Sequence, residues 1–390
     1  MRRRTGIRTW GPPALLAFGL ALALALALAI SAGDGRAAAA DDQKPAVAGS
    51  EHCRPETIRA AVVKALPLLV KASAVEYPKH RDCFSCHNQA VPAVALSLAR
   101  QRGFAVEAQT LRAIAEHTET DLNGAIDDYR KGKGQPGGVI RAGYALWALE
   151  AAGWAPDETT AAVVHYLAVV PGQRDHWQAY SDRPPSESSD FTATSLAIRG
   201  LLAFAPPANQ TAPWRGRALK WLEQTKPKET EDRAFGLWSL KQAGASPKVI
   251  AAATQDLLQA QRPDGGWSQL DPTADPAKGK VDKDKAQDAG SRAAAIARAK
   301  ASDAYATGLA LVALHLAGGV PTDLPAYRRG LDFLIRTQRD DGSWFVKSRS
   351  HPFQPYFESG FPHGPDQFIS MAASGWAVAA LALALPHAPP

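Results

Sequence analysis

The sequence predicts an all-α protein of twelve helices paired into six hairpins, and three observations carry that prediction. Six segments hold small or apolar residues at nearly every position, as helices buried on all sides do. Six amphipathic segments alternate with them, charged on one face only. Strand-type alternation of apolar and polar residues is nearly absent.

The chain opens on a leader. Arg2, Arg3, Arg4 and Arg8 form a basic start, residues 14–30 form an Ala/Leu run, and Ala38-Ala39-Ala40 offers a cleavage site before Asp41. Residues 1–40 are thus expected to be a signal peptide and the protein to be exported, periplasmic in a bacterium. If uncleaved, the run instead anchors the chain in the membrane. The leader holds five arginines and one aspartate, leaving 39 basic and 37 acidic side chains in residues 41–390. That near-neutral balance, without a basic aromatic patch, argues against nucleic acid as a partner.

The amphipathic, outer helices are expected at about 54–73, 105–128, 157–169, 213–224, 247–261 and 324–338. The apolar, inner helices are expected at 89–101, 139–152, 190–203, 231–243, 303–317 and 370–384. Gly103, Gly153, Gly244 and Gly318 follow the last apolar turn of four of these, where a left-handed cap suits glycine. Residues 272–300, rich in Lys, Asp, Ala and Gly, read as a charged low-complexity insertion.

The loop at 80–90 carries the strongest chemical motif, Cys83-Phe84-Ser85-Cys86-His87. Two thiols on one turn suit the two vinyl groups of heme, and the adjacent imidazole suits the iron, so covalent heme c on Cys83, Cys86 and His87 is expected. A redox Cys-x-x-Cys lacks its βαβ context here, and a zinc site lacks its second ligand pair. The third cysteine, Cys53, leaves no disulfide framework. For the second axial position the expected ligand is His363, held between Pro362 and Pro365 on the sixth loop, with His176 and Met371 as competitors. A redox role then implies a periplasmic electron-transfer partner.

Two spacings coincide. Leu257 leads through Gln261 to Gly265-Gly266-Trp267, and Leu334 leads through Gln338 to Gly342-Ser343-Trp344. Arg217 to Gln224 reads as a degenerate third copy, and Tyr356 to Pro362 precedes the last inner helix. This pattern resembles the QW repeat of squalene–hopene and oxidosqualene cyclases, related to that of prenyltransferase β-subunits, over about residues 210–390. The resemblance implies an (α/α)6 toroid of terpene cyclase/prenyltransferase type, its inner helices surrounding a cavity. An α-solenoid and paired bundles are the alternative architectures. The cyclases' Asp-x-Asp-Asp acid is absent here, and so are the prenyltransferases' zinc ligands, so neither activity transfers directly.

Carboxylates gather at the starts of inner helices: Glu187 and Asp190, Glu231 and Asp232, Asp303, then Glu358 and Asp366. Helix capping explains such positions, and a general acid within apolar surroundings is the functional alternative. Asp190, Asp303, Asp366 and Glu358 are the candidates for it. Tyr144, Trp147, Phe191, Phe235, Trp238, Tyr305 and Trp376 supply either core packing or an aromatic pocket for an isoprenoid or quinone-like hydrophobic ligand. Three functions emerge: redox chemistry on heme at an apolar cavity, a terpenoid cyclase or lyase, and a hydrophobic-ligand-binding scaffold with structural heme.

Overall fold

The structure is a computed structural model that describes residues 53–206, 213–271, 297, 300–350 and 355–388. The leader and nearly all of the 272–300 insertion lie outside the described residues, as does His351. Helices dominate, and the only described strands are Trp267–Ser268 and Ser302–Asp303, paired antiparallel.

Six helices form the interior: α3 (Val91–Gln101), α6 (Gly138–Ala151), α8 (Asp190–Phe204), α10 (Thr230–Ala243), α12 (Ala304–Leu316) and α14 (Gln367–Leu383). The outer helices are α1 (Pro55–Val70), α4 (Ala108–Asn123), α7 (Glu158–Val169), α9 (Trp214–Gln224), α11 (Pro247–Gln259) and α13 (Pro325–Thr337). Two short helices, α2 (Tyr77–His80) and α5 (Ile126–Arg130), lie in the connections. Each inner helix packs on the next, and α14 packs back on α3, so the contacts close into a cycle. Outer helices bridge neighbouring inner ones: α4 touches α3 and α6, α11 touches α10 and α12, and α1 touches α14 and α3.

Composition explains the two layers. Every residue of α12 from Ala304 to Leu314 is buried, while α13 buries Tyr327, Gly330, Leu331, Phe333 and Leu334 on one stripe. The helical run Gly364–Leu383, which ends in α14, is long and apolar enough to cross a bilayer, yet it lies buried within the protein. Close approach at the hub needs small residues: a Cβ on Gly308 would lie 2.6 Å from the Trp376 carbonyl carbon.

Local chemistry sets the ends. Asp157 and Thr160 form a reciprocal capping box at α7, and Ser246 accepts from the Val249 N–H ahead of Pro247 at α11. Gly244 ends α10 in the left-handed region, as its position predicts. After α12 that conformation falls on Gly319 and not on the expected Gly318, where a Cβ would lie 2.8 Å from both the Leu314 carbonyl oxygen and Thr254 Oγ1.

The tryptophan latches have a definite form. Trp267 Nε1 donates to Leu257 O at 2.8 Å, and its backbone N–H donates to Thr307 Oγ1 on the following inner helix at 2.9 Å. Trp344 repeats this on Leu334 O at 2.7 Å and Ser374 Oγ at 3.0 Å. The glutamines tie outer helices together: Gln261 Nε2 donates to Ala326 O of α13, and Gln338 Nε2 to Ala61 O of α1. The third latch is not the Arg217 to Gln224 segment. It is Trp177, ten residues after Leu167, with Nε1 donating to Leu167 O at 2.8 Å and N–H to Thr194 Oγ1 at 3.2 Å. Trp221 of the expected copy instead stacks on His176, ring centroids 4.3 Å apart.

Candidate functional site

The inner helices begin on one rim, and four connecting loops interlock there. Ser350 Oγ donates to Pro184 O at 2.8 Å, and Arg349 reaches Gln269 Oε1 at 2.7 Å and Glu229 Oε2 at 2.9 Å. Below this cover lies a polar layer, and below that an aromatic one.

The cysteine motif sits on the rim. Ser85 caps the turn by accepting from the Asn88 N–H, and the Ser85 N–H donates to Gln89 Oε1. His117 of α4 fixes the turn from outside, with Nε2 donating to Arg81 O at 2.9 Å and Nδ1 accepting from Gln89 Nε2 at 2.8 Å. The two thiols differ. Cys83 is exposed, its Sγ 3.8 Å from the Tyr77 hydroxyl, whereas Cys86 is buried. Burial pushes the Cys86 thiol well above its ordinary value, and Glu187 nearby adds to this, so it is held as the neutral thiol.

His87 packs against the loop between α7 and α8. Its Nε2 lies 2.7 Å from Ser186 Oγ, and its Nδ1 faces Glu187 Oε1 at 3.5 Å. Arg183 pairs with the other oxygen of Glu187. Burial lowers the His87 pKa below its ordinary 6.5, outweighing the opposing pull of Glu187. Covalent heme, which the motif implies, does not fit this arrangement. An iron on Nε2 would have to take the place of the Ser186 hydroxyl, and the Cys86 thiol that would bond a vinyl group is buried. Asn88, next in the chain, is fully buried, and neither of its amide atoms has a hydrogen-bond partner among the described residues.

The expected second ligand, His363, is held by its own loop. Its Nε2 is 2.7 Å from Ser343 Oγ, whose hydroxyl also reaches Asp341 Oδ1 at 2.6 Å, and its backbone is left-handed at φ 90°. Burial lowers its pKa, while Asp341 opposes that. Met371 is fully buried in α14, and His176 is bound to Asp175 at 2.7 Å.

Three of the four candidate carboxylates have structural or paired roles, and the fourth lies on the surface. Asp303 caps α12 through the Ala306 N–H and accepts from Gln269 Nε2, both at 2.9 Å; loss of water nevertheless raises its pKa to about 6. Asp190 accepts from the Ala179 N–H at 2.8 Å, with His176 Nε2 3.4 Å away. Asp366 accepts from Lys347 Nζ and the Ser348 N–H, both at 2.9 Å. Glu358 is bound by the Tyr356 hydroxyl near the surface.

Glu231 is the exception. It is only 3% exposed, and its oxygens accept from Tyr305 Oη at 3.0 Å and Thr192 Oγ1 at 3.1 Å. Among the described residues no cation pairs with it, and desolvation raises its pKa well above the carboxylate range. Burial raises the pKa of Tyr144 of α6, which stands close to Glu231, Cys86 and Glu187. Beneath follow Phe235, Trp147, Trp238 and Trp376, with Trp147 5.5 Å from Trp238 and 5.7 Å from Trp376 between ring centroids. Arg199, bound to Glu150 at 2.7 Å, lies over the Trp147 ring at 4.5 Å and closes the stack. The site therefore runs from a thiol–imidazole–hydroxyl rim through a neutral carboxyl to an aromatic hub.

No family model matches this chain, and no curated protein matches it in sequence. Solved structures do match in fold. Type II terpene cyclase MstE from Scytonema, in its apo form, superimposes with TM-score 0.52 at 16% identity, covering 84% of this chain and 99% of that one. A variant of it bound to the substrate geranylgeranyl dihydroxybenzoate gives TM-score 0.52 at 16% identity, covering 85% and 97%. An apo variant gives TM-score 0.53 at 14% identity, covering 85% and 99%. The fold is thus all-helical and terpene-cyclase-like.

Proposed function

We propose that this chain is an (α/α)6 toroid that acts as a proton-donating enzyme on an unsaturated hydrophobic substrate, a cyclisation or isomerisation of isoprenoid type. One observation carries the reading: Glu231, a carboxyl only 3% exposed with no cation partner among the described residues, stands one helical turn before Phe235 of the aromatic hub. A carboxylic acid of raised pKa is a proton donor at neutral pH. Its proton adds to one carbon of a double bond and leaves a cation on the other. Faces of Trp147, Trp238 and Trp376 stabilise that cation through their ring quadrupoles. Tyr305 and Thr192 hold the carboxyl in place and stabilise the carboxylate left behind. Loss of a proton from the substrate cation completes the reaction with no change in composition. The cyclases' Asp-x-Asp-Asp is absent, so Glu231 is the acid in its stead. The leader supports export, and the reaction then takes place outside the cytoplasm.

The test is product analysis in deuterated water. Purified protein is incubated with geranylgeranyl dihydroxybenzoate and with free polyprenyl chains of several lengths. The expected product has the substrate's composition, with one carbon-bound deuterium. Glu231→Gln preserves shape and neutrality, so it should fold as the parent does while losing turnover by about 10²-fold or more. Turnover untouched by that substitution would remove Glu231 from the mechanism.

A further inference from the structure

The disagreement between the cysteine motif and the heme it implies has a positive side. His87 faces a hydroxyl with one ring nitrogen and a carboxylate with the other. Ser186 Oγ is 2.7 Å from Nε2, and Glu187 Oε1 is 3.5 Å from Nδ1. With the ring proton on Nδ1, in ion-pair range of Glu187, the Nε2 lone pair is left to accept from the Ser186 O–H. We propose that Ser186, His87 and Glu187 form a nucleophile–base–orienter triad that transfers a short acyl group from a carboxylic ester to water. This activity is independent of Glu231 and of the reaction proposed for it.

The roles follow from the geometry. In a hydrolytic triad the base must hold the nucleophile's proton and must itself be oriented by a third group. Arg183 pairs with the far oxygen of Glu187, which leaves the near one for the imidazole. The Arg183 backbone carbonyl also accepts the Glu187 N–H at 3.0 Å, so the segment carrying Ser186 is closed on itself. Ser186 Oγ attacks the ester carbonyl carbon as its proton passes to Nε2. The alcohol then leaves with that proton, and Ser186 stays acylated. Water attacks the acyl carbon through the same base, which frees the acid and restores the serine. Ser186 is only 2% exposed while the His87 side chain is 20% exposed, so the approach is narrow and the acyl group short.

The experiment uses the mature protein, expressed in a host that matures c-type cytochromes, with diisopropyl fluorophosphate as probe and p-nitrophenyl acetate as substrate. Intact-mass and peptide analysis should find one phosphoryl group, on Ser186. Labelling should fall at least 100-fold in His87→Gln and vanish in Ser186→Ala, with acetate release falling in parallel. Glu187→Gln should slow labelling and keep its site. Melting curves show that each variant is folded. Folded wild type that stays unlabelled overturns the proposal, as does a label on Cys83 in place of Ser186. Heme stain on a denaturing gel with low-spin iron bound through His87 overturns it equally, since one nitrogen cannot serve both partners.

Discussion

Two carboxyls at the starts of neighbouring inner helices have opposite fates that their sequence positions do not separate. Asp303 is the N-cap of α12, and Glu231 is the second residue of α10, whose capping box is made by Glu229 and Asp232. Because the cap is already supplied, the Glu231 side chain turns inward. Sequence places both in one acidic set, and capping is the ordinary explanation for such a set. Inward orientation depends on what surrounds the helix. Ser186 is hidden for a similar reason: it meets His87 across 99 residues of chain from a loop with no periodicity. Asp303 makes its own prediction. Its folded pKa of about 6 lies above the ordinary 3.8, so the folded state binds the proton more tightly than the unfolded chain. Stability from this group is full below about pH 4, declines as pH rises to about 6, and is level above. Asp303→Asn retains a capping oxygen and removes the titration. Thermal melts from pH 4 to 7 should show a shallower decline in the variant; identical slopes would mean that Asp303 titrates normally.

At the scale of the element, the repeat is a hydrogen-bonding device more than a sequence motif. In each of three hairpins the tryptophan indole caps a carbonyl ten residues back, and its backbone N–H reaches a Thr or Ser hydroxyl on the next inner helix. Gln261 with Gly265, and Gln338 with Gly342, make two copies legible. In the third, Pro171 and Asp175 stand at the corresponding positions, so only the Leu167 to Trp177 interval survives. The helices themselves were legible to within a few residues, because burial on all sides and burial on one stripe leave different composition. Trp177, Trp267 and Trp344 are each buried, at 2%, 0% and 1% exposure, which gives all three the same expected weight. Replacing Trp177 by alanine should therefore destabilise the fold as much as Trp344→Ala, about 3–5 kcal/mol by large-to-small substitution in a core. Chemical denaturation of the two variants checks this. A Trp177→Ala protein of parental stability would mark the third latch as incidental.

For the whole molecule, what matters is how the last hairpin meets the first. The cycle α3, α6, α8, α10, α12, α14 closes through α14 on α3, and the outer layer closes through Gln338 on Ala61. Arg102 adds a clasp from the end of α3 to Leu385 O at 2.6 Å. Sequence supplies the order of helices but not this seam, which joins residues more than 270 positions apart. Gly342 lies at its centre. Its φ of 91° is left-handed, and a Cβ there would press on the Lys64 carbonyl of α1. Gly265 is the same residue one repeat earlier, also at φ 91°, but its Cβ would press on Arg329 of α13, inside the cycle. Alanine at either position carries about 1–3 kcal/mol of backbone strain before any clash. The two should differ in where the strain is released. Gly342→Ala loosens the contact between the first and last outer helices, the one joint that the chain itself does not span. Amide exchange followed by mass spectrometry should then quicken in α1 and α13 while α6 and α8 keep their protection. Gly265→Ala should quicken exchange in α11 and α13 and leave α1 unchanged. If both variants instead exchange faster uniformly, the molecule opens as one cooperative unit, and the seam is no weaker than any other joint.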